Sequence, residues 1–477
     1  MRKRTKVMLS AYTIIMVLII LLGIMSHVLP DATLSSGEVV SVTGAKLSQI
    51  LMAPILGFED AIDVCIFVMI LGGFLAIVNR TKALETGIKV LVQKLKGKEL
   101  WLIPILMFVF SVMGTTYGFL EESVGFYVLL GATMFAAGMD PLVGSATVLL
   151  GAGSGVLGST INPFATGVVL SALKDAGIEY NQGLVLLIAV VLWLTTYAIS
   201  TFFVYRYAKK VKKDKGSTFL SLREQAAAER KFGKYAESAD EKAVLTRRQK
   251  ITLCLFALTF IVMIIGFIPW GEFFEEPIFY SFTGWLTGAA LGDWWFYEAA
   301  LWFLIISIVI ALVNRMGEHG FVDAFVDGSD DMVGVILVIA VARGASVLMG
   351  ETGLDYYIIA NATDWLATLP ELAFVPLNYL LHTGLSILVP SSSGLATLST
   401  PIVAPVAANL GYSTEVTAMS LVAANGLVNL ITPTCGAIMG GLALAKVEYT
   451  TWFKWAFKVV VVIAVANIAV LMLFTLL

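Results

Sequence analysis

The sequence predicts an all-α integral membrane protein built as an inverted repeat, with about nine transmembrane helices and two opposed re-entrant helical hairpins. Three observations lead there. Of 477 residues, 58% are hydrophobic and 14% charged, whereas a soluble chain carries about 25% charged residues. Uncharged apolar runs at Leu9 to Leu29, Gly183 to Tyr205, Ile251 to Trp270 and Val459 to Leu477 are long enough to cross a hydrocarbon core of roughly 30 Å. Finally, the chain contains itself twice. Residues 60–170 and 330–445 follow one plan at an offset of about 270, far beyond the period of a solenoid.

Each copy opens with acidic residues ahead of an apolar span, DAIDVCIFVMILGG at Asp60 and DDMVGVILVIAVARG at Asp330. An apolar stretch with a polar interruption follows, GTTYGFLEES at Gly114 and PSSSGLATLSTP at Pro390. Each copy closes on a helix broken before proline, GSTINPF at Gly158 and NLITPTC at Asn429. In a membrane protein such duplication implies a secondary transporter whose small-molecule site lies where the halves meet.

Charge placement orders the elements, whereas the net charge of −3 says little. The first apolar run follows MRKRTK and reads as a span, since its core is too long for a signal peptide and no small-x-small cleavage site follows. Lysines 82, 89, 94, 96 and 98, and the segment 206–250 with KKVKKDK and RRQK, are basic and should be cytoplasmic. The loops carrying Glu272, Glu275 and Glu276, and Glu351, Asp355, Asp364 and Glu371, are acidic and should be outside. The amino terminus is then cytoplasmic, in a multi-pass protein of the inner (cell) membrane.

Between Lys98 and Arg206 the chain must cross an even number of times. Asp140 to Ser171 and Gly183 to Tyr205 supply two crossings, so residues 100–138 return to their own side as a hairpin. Its arms of about 16 residues reach roughly 24 Å, short of a full crossing. Residues 372–410 dip in from the opposite face. The expected organisation is a first repeat at 1–205 (hairpin 100–138, broken helix 140–171) and a basic linker at 206–250, read as a solvated tether. A connecting helix and extracellular loop at 251–298 lead to a second repeat at 299–477 (hairpin 372–410, broken helix 413–445).

The tips and breaks hold the candidate site. Glu121 and Glu122 stand in an apolar stretch with Thr115, Thr116 and Ser123, and a carboxylate at membrane depth costs a few kcal/mol even on insertion scales. The alternative is a helix cap, where negative charge is mildly favoured. In the opposite tip, Ser391, Ser392 and Ser393 offer hydroxyls and helix-start amides, or simply a cap. Pro163 and Pro433 remove backbone donors, and irregular backbone at this depth is tolerated where it lines a cavity. Ser159, Thr160, Asn162, Asn425, Asn429 and Thr432 lie beside those breaks; all can bind a polar substrate, and Ser159, Thr160, Asn162, Asn429 and Thr432 a sodium ion. A local kink stitched by hydroxyls is the other reading. Arg343 lies within a span and suits a carboxylate, or pairs with a buried acid such as Glu121 or Glu122. Three scattered cysteines, Cys65, Cys254 and Cys435, and three histidines, His27, His319 and His382, offer no disulfide framework and no metal spacing.

The whole chain resembles the YfcC-type branch of the C4-dicarboxylate anaerobic carrier family, in the ion-transporter superfamily. The likeness is carried by GFEDAIDVCIFVMILGGF from Gly57, GTTYGFLEES from Gly114, GSGVLGSTINPFATG from Gly153, VIAVARGASVLMGETG from Val338 and VPSSSGLATLSTPIVAPV from Val389. The architecture read from charge is also similar to that of the aminobenzoyl-glutamate transporters of that superfamily. The resemblance implies an elevator-type transporter in which hairpins and broken helices move against a scaffold of outer spans, and a homodimer. It leaves the substrate open between C4-dicarboxylates and arginine or ornithine. The paired glutamates with Arg343 favour a cationic amino acid and exchange. The alternative is a dicarboxylate coupled to sodium or protons. No cofactor, enzyme activity or nucleic-acid partner is expected. A hydrolase would have only the distant His382 to pair with Ser391–Ser393, and a channel needs neither opposed hairpins nor broken helices.

Overall fold

The structure, a computed structural model, describes residues 11–94, 97–236, 244–267, 270 and 280–477. The basic amino-terminal residues, Lys96, residues 237–243 of the linker, and Glu272, Glu275 and Glu276 lie outside them. The described residues form 21 α-helices, numbered along the chain, and one two-stranded ribbon, Ala32–Thr33 against Val39–Val40.

After α1 (Ala11–Val28) come α2 (Leu47–Asp60), α3 (Ile62–Arg80), α4 (Ala83–Lys94), α5 (Leu102–Tyr117), α6 (Val124–Ala136), α7 (Pro141–Leu157), α8 (Val168–Asp175) and α9 (Gln182–Lys213). Next are α10 (Leu222–Ala236), α11 (Arg247–Phe267), α12 (Tyr280–Thr287) and α13 (Phe296–Val313). A second series matching α2 to α9 follows: α14 (Glu318–Asp330), α15 (Val333–Thr352), α16 (Leu354–Leu366), α17 (Glu371–Leu388), α18 (Ser392–Asn409), α19 (Thr414–Val428), α20 (Gly436–Ala445) and α21 (Tyr449–Thr475). Matching helices start about 270 residues apart. The duplication thus extends back to Leu47 and Glu318, one helix earlier than the sequence pattern marks it.

Small residues set the central crossings, because helices in a bilayer associate by close packing. Helix α2 packs on α15, with Gly57 against the backbone of Ala340 and Gly344. Helix α14 packs on α3 in the matching way, with Gly328 against Gly72. Every residue of α7 is buried. This helix runs between α5 and α6 and lies against α9, while α19 runs between α17 and α18 and lies against α21. The two units then exchange their ends: α20 packs on α6, and α8 on α18. Each hairpin is therefore backed by the broken helix of the other half.

The breaks have local causes. Gly118, at φ 85°, caps α5 with its N–H on the Gly114 carbonyl and turns the chain into the first tip. Gly353, at φ 69°, separates α15 from α16, which bend by 72°. Helix α7 ends at Leu157, and Pro163 restarts the chain where its missing donor costs nothing. A single π turn follows, closed by Gly167 N–H on the Asn162 carbonyl; such turns gather at functional sites.

Six segments among the described residues are long and apolar enough to cross a membrane, or seven if the bent Ile336–Thr352 and Leu354–Leu366 pair counts as one. The six include Glu99–Thr116, which takes in the first hairpin arm; shorter apolar helices add Thr13–Val28, Val124–Ala136, Pro141–Leu157 and Gly436–Ala445.

The linker is not a free tether. Thr218 and Tyr207 donate to Oδ2 of buried Asp140 at 2.6 Å each. On α10, Glu224 is 2% exposed and accepts from Ser221 N–H (2.7 Å), Glu448 N–H (2.8 Å) and Thr451 Oγ1 (3.0 Å). Phe232 is fully buried with Ile88 of α4 and Ala132 of α6, a burial worth roughly 1.5–3 kcal/mol. The sequence hid this docking because α10 reads as polar along most of its length.

Candidate functional site

The two hairpin tips, the two helix breaks and the starts of α3 and α13 enclose one cavity of about 150 Å³. Its first wall is the α5–α6 tip, with Gly118, Leu120, Glu121 and Glu122. The second is the α17–α18 tip, from Pro390 to Ser393. Between them stand Asn162 and Phe164 from the first break, and Asn429, Thr434, Cys435 and Gly436 from the second. The remaining wall comes from α3, α11, α15 and the start of α13 and contributes Asp63, Phe267, Trp295, Phe296 and Arg343. Proximity in sequence explains none of this; the exchange of ends between repeats does.

Several helices begin at this cavity. Ser391 caps α18, accepting from Gly394 N–H at 3.2 Å, and Ser392 Oγ donates to Asn425 Oδ1 at 2.9 Å. Asn162 caps the π turn, accepting from Phe164 N–H at 2.9 Å, and donates to Ser159 Oγ at 3.0 Å. Helix α20 starts at Gly436 with no side-chain cap. The amino ends of α18 and α20, positive in the helix dipole, thus lie at the space, as suits a carboxylate.

The acidic side chains lean the other way. Asp63, Glu121 and Glu122 line the cavity, and Arg343, the single basic lining residue among the described residues, is held by Asp60, its Nε 2.9 Å from Oδ2. Arg343 therefore pairs across the α2–α15 crossing and not with Glu121 or Glu122, the partners its sequence suggested. Glu122 is 3% exposed, and its Oε2 has no hydrogen-bond partner among the described residues. The Oδ1 of buried Asn429 is likewise unpartnered. Trp295 Nε1 donates to Asp63 Oδ2 at 2.5 Å, and Phe164 meets the Trp295 ring edge-on at 4.6 Å. A cation bound here would face carboxylates and aromatic rings together.

The other residues singled out from sequence sit behind this surface. Thr115 donates to the Gly158 carbonyl at 2.9 Å, and its own carbonyl accepts from Thr160 N–H at 2.9 Å, which stitches the hairpin arm to the break. Thr116 bonds back to the Val112 carbonyl, Ser123 to that of Leu120 and Ser159 to that of Val156. Asn425 supports Asn429 at 3.0 Å, and Thr432 pairs with Thr434 at 2.7 Å. His382 bonds Ser399 at 2.6 Å, both fully buried, and not Ser391–Ser393. Asp63, Trp295 and Phe164 were missed as site residues. Their one sequence signal was an acid and aromatics at the starts of apolar spans.

The sequence profile of the C4-dicarboxylate anaerobic carrier family matches residues 7–476. A protein of Haemophilus influenzae is 28% identical over 406 residues, 85% of this chain and 74% of its own length. The "Putative basic amino acid antiporter YfcC" of Escherichia coli K12 is 26% identical over 405 residues, 83% of this chain and 74% of its own. Of solved structures, the Alcanivorax borkumensis YdaH transporter covers 98% of both chains at a TM-score of 0.48 and 16% identity. Neisseria gonorrhoeae MtrF covers 99% of this chain and 96% of its own at a TM-score of 0.46 and 17% identity.

Proposed function

We propose that this chain, which belongs to the C4-dicarboxylate anaerobic carrier family, is a secondary transporter of a cationic amino acid, exchanging arginine for ornithine. The observation that carries the reading is the acidic lining of the cavity: Asp63, Glu121 and Glu122 line it, while Arg343 is already paired with Asp60. Three acids around one space suit the N–H donors of a guanidinium or ammonium group, and no unpaired cation among the described lining residues awaits a second carboxylate. The α-carboxylate of the substrate then meets the Ser391–Ser393 helix start and the amino end of α20. The E. coli relative's name, a basic amino acid antiporter, agrees with this reading.

Transport by an elevator movement accounts for the two-sided construction. The hairpins and broken helices (α5–α8 and α17–α20) travel with the substrate, and α3, α13 and α15 belong to the scaffold, with about nine helices crossing an inner membrane, the amino terminus cytoplasmic and the protein dimeric. Asn162 and Asn429 are the lining amides available to a coupling sodium ion. A dicarboxylate carrier is the second reading. It is favoured by the serine tip and by Arg343, should the guanidinium leave Asp60.

The test is counterflow. Proteoliposomes loaded with ornithine should take up labelled arginine, and empty ones should not; Glu121→Gln and Glu122→Gln should abolish the uptake. Uptake of succinate or fumarate in place of arginine overturns the cationic reading, and steady flux without saturation or counter-substrate stimulation overturns the carrier.

A further inference from the structure

Away from the cavity, the outer face of α9 forms a second concavity of about 510 Å³ against the start of α5. Its floor is apolar, lined by Trp101, Pro104, Tyr197 and Phe202, and Trp101 and Phe202 are 62% and 57% exposed. Its rim carries Arg206 and Lys209, one helical turn apart. The neighbouring acid, Glu99, is taken by Lys212 at 2.6 Å. Arg206 and Lys209 form no ion pair among the described residues.

The position on α9 adds meaning. The helix is uncharged from Gln182 to Tyr205 and carries five basic residues in its last eight. The groove therefore straddles the level where apolar helix gives way to cations, with an exposed tryptophan at that level, as is usual at a membrane interface. The open groove beyond the other end of α9 has the opposite character, being lined by Glu179, Glu371 and Glu415.

We propose that the α9 groove is a binding site for one anionic phospholipid. Its acyl chains lie along Phe202 and Tyr197, and its phosphate is held between Arg206 and Lys209. Arginine and lysine together suit a phosphate, the one as a fork and the other as a compact charge. Complementarity selects this occupant: a zwitterionic lipid satisfies the floor but returns a cation to two cations at the rim, and a second copy of this groove would face like charge with like.

Native mass spectrometry of the detergent-purified full chain, titrated with phosphatidylglycerol or phosphatidylcholine, tests this. Phosphatidylglycerol should be retained preferentially. Arg206→Ala with Lys209→Ala should weaken that binding roughly thirtyfold, the worth of two interfacial cations. Lys210→Ala with Lys213→Ala, equal in charge but outside the groove, should not. Ala198→Phe, which fills the exposed floor without touching charge, should also displace the lipid. Equal retention of both lipids, equal loss in both double variants, or full binding by Ala198→Phe would overturn the proposal; the first means ordinary bilayer lipid, the second diffuse attraction.

Discussion

Arg343 Nε lies 2.9 Å from Asp60 Oδ2, joining the end of α2 to the middle of α15 beside the cavity. The two side chains are 49% (Asp60) and 30% (Arg343) exposed, so the pair contributes no more than about 1 kcal/mol to stability. Its weight falls on the charge of the site. Asp60→Asn should leave the melting temperature nearly unchanged yet free a positive charge beside the substrate. Arginine uptake should then fall at least tenfold while any dicarboxylate uptake rises. Unaltered selectivity in liposomes would remove Asp60 from the account.

Glu121 and Glu122 should trade stability for function. Glu122 holds a buried oxygen without a hydrogen-bond partner among the described residues, and a buried carboxyl kept for function is costly to the fold. Glu122→Gln is expected to raise the melting temperature in detergent while lowering kcat/KM for arginine by two orders of magnitude or more. A variant less stable than the parent would mark the carboxylate as structural.

Removing the carboxylate of Glu224 takes away the acceptor of three hydrogen bonds, two of them from the start of α21. Glu224→Ala should destabilise the protein by about 2–3 kcal/mol, the cost of leaving such donors unpaired, read by thermal denaturation. Wild-type stability would show that α10 is dispensable.

The glycine crossings predict a contrast. A Cβ on Gly57 would collide with the Ala340 carbonyl, and one on Gly328 with the Gly72 carbonyl. Backbone cannot yield as a flexible side chain does, so Gly57→Ala and Gly328→Ala should each cost at least 1–3 kcal/mol and depress folded yield. Gly384→Ala meets nothing within 4 Å and should stabilise helix α17 by up to about 1 kcal/mol. Equal behaviour of all three in a stability assay would contradict the packing described.

What the sequence determined by itself was whatever repeats or is written in composition. The apolar content declared the membrane, the matching acidic starts and broken helices declared two copies of one unit, and Glu121 with Glu122 stood out because charge is expensive in an apolar run. Each is a local signal, carried by neighbouring residues. The tertiary structure decided which distant residues meet. It gave Arg343 to Asp60 in place of a glutamate, carried Asp63 and Trp295 into the cavity wall, withdrew Thr115, Ser159 and Asn425 behind it, and folded the basic linker onto α4, α6 and α21. These outcomes rest on contacts between residues tens to hundreds of positions apart. Periodicity and charge counting describe the face that a helix presents, and packing alone chooses its partner.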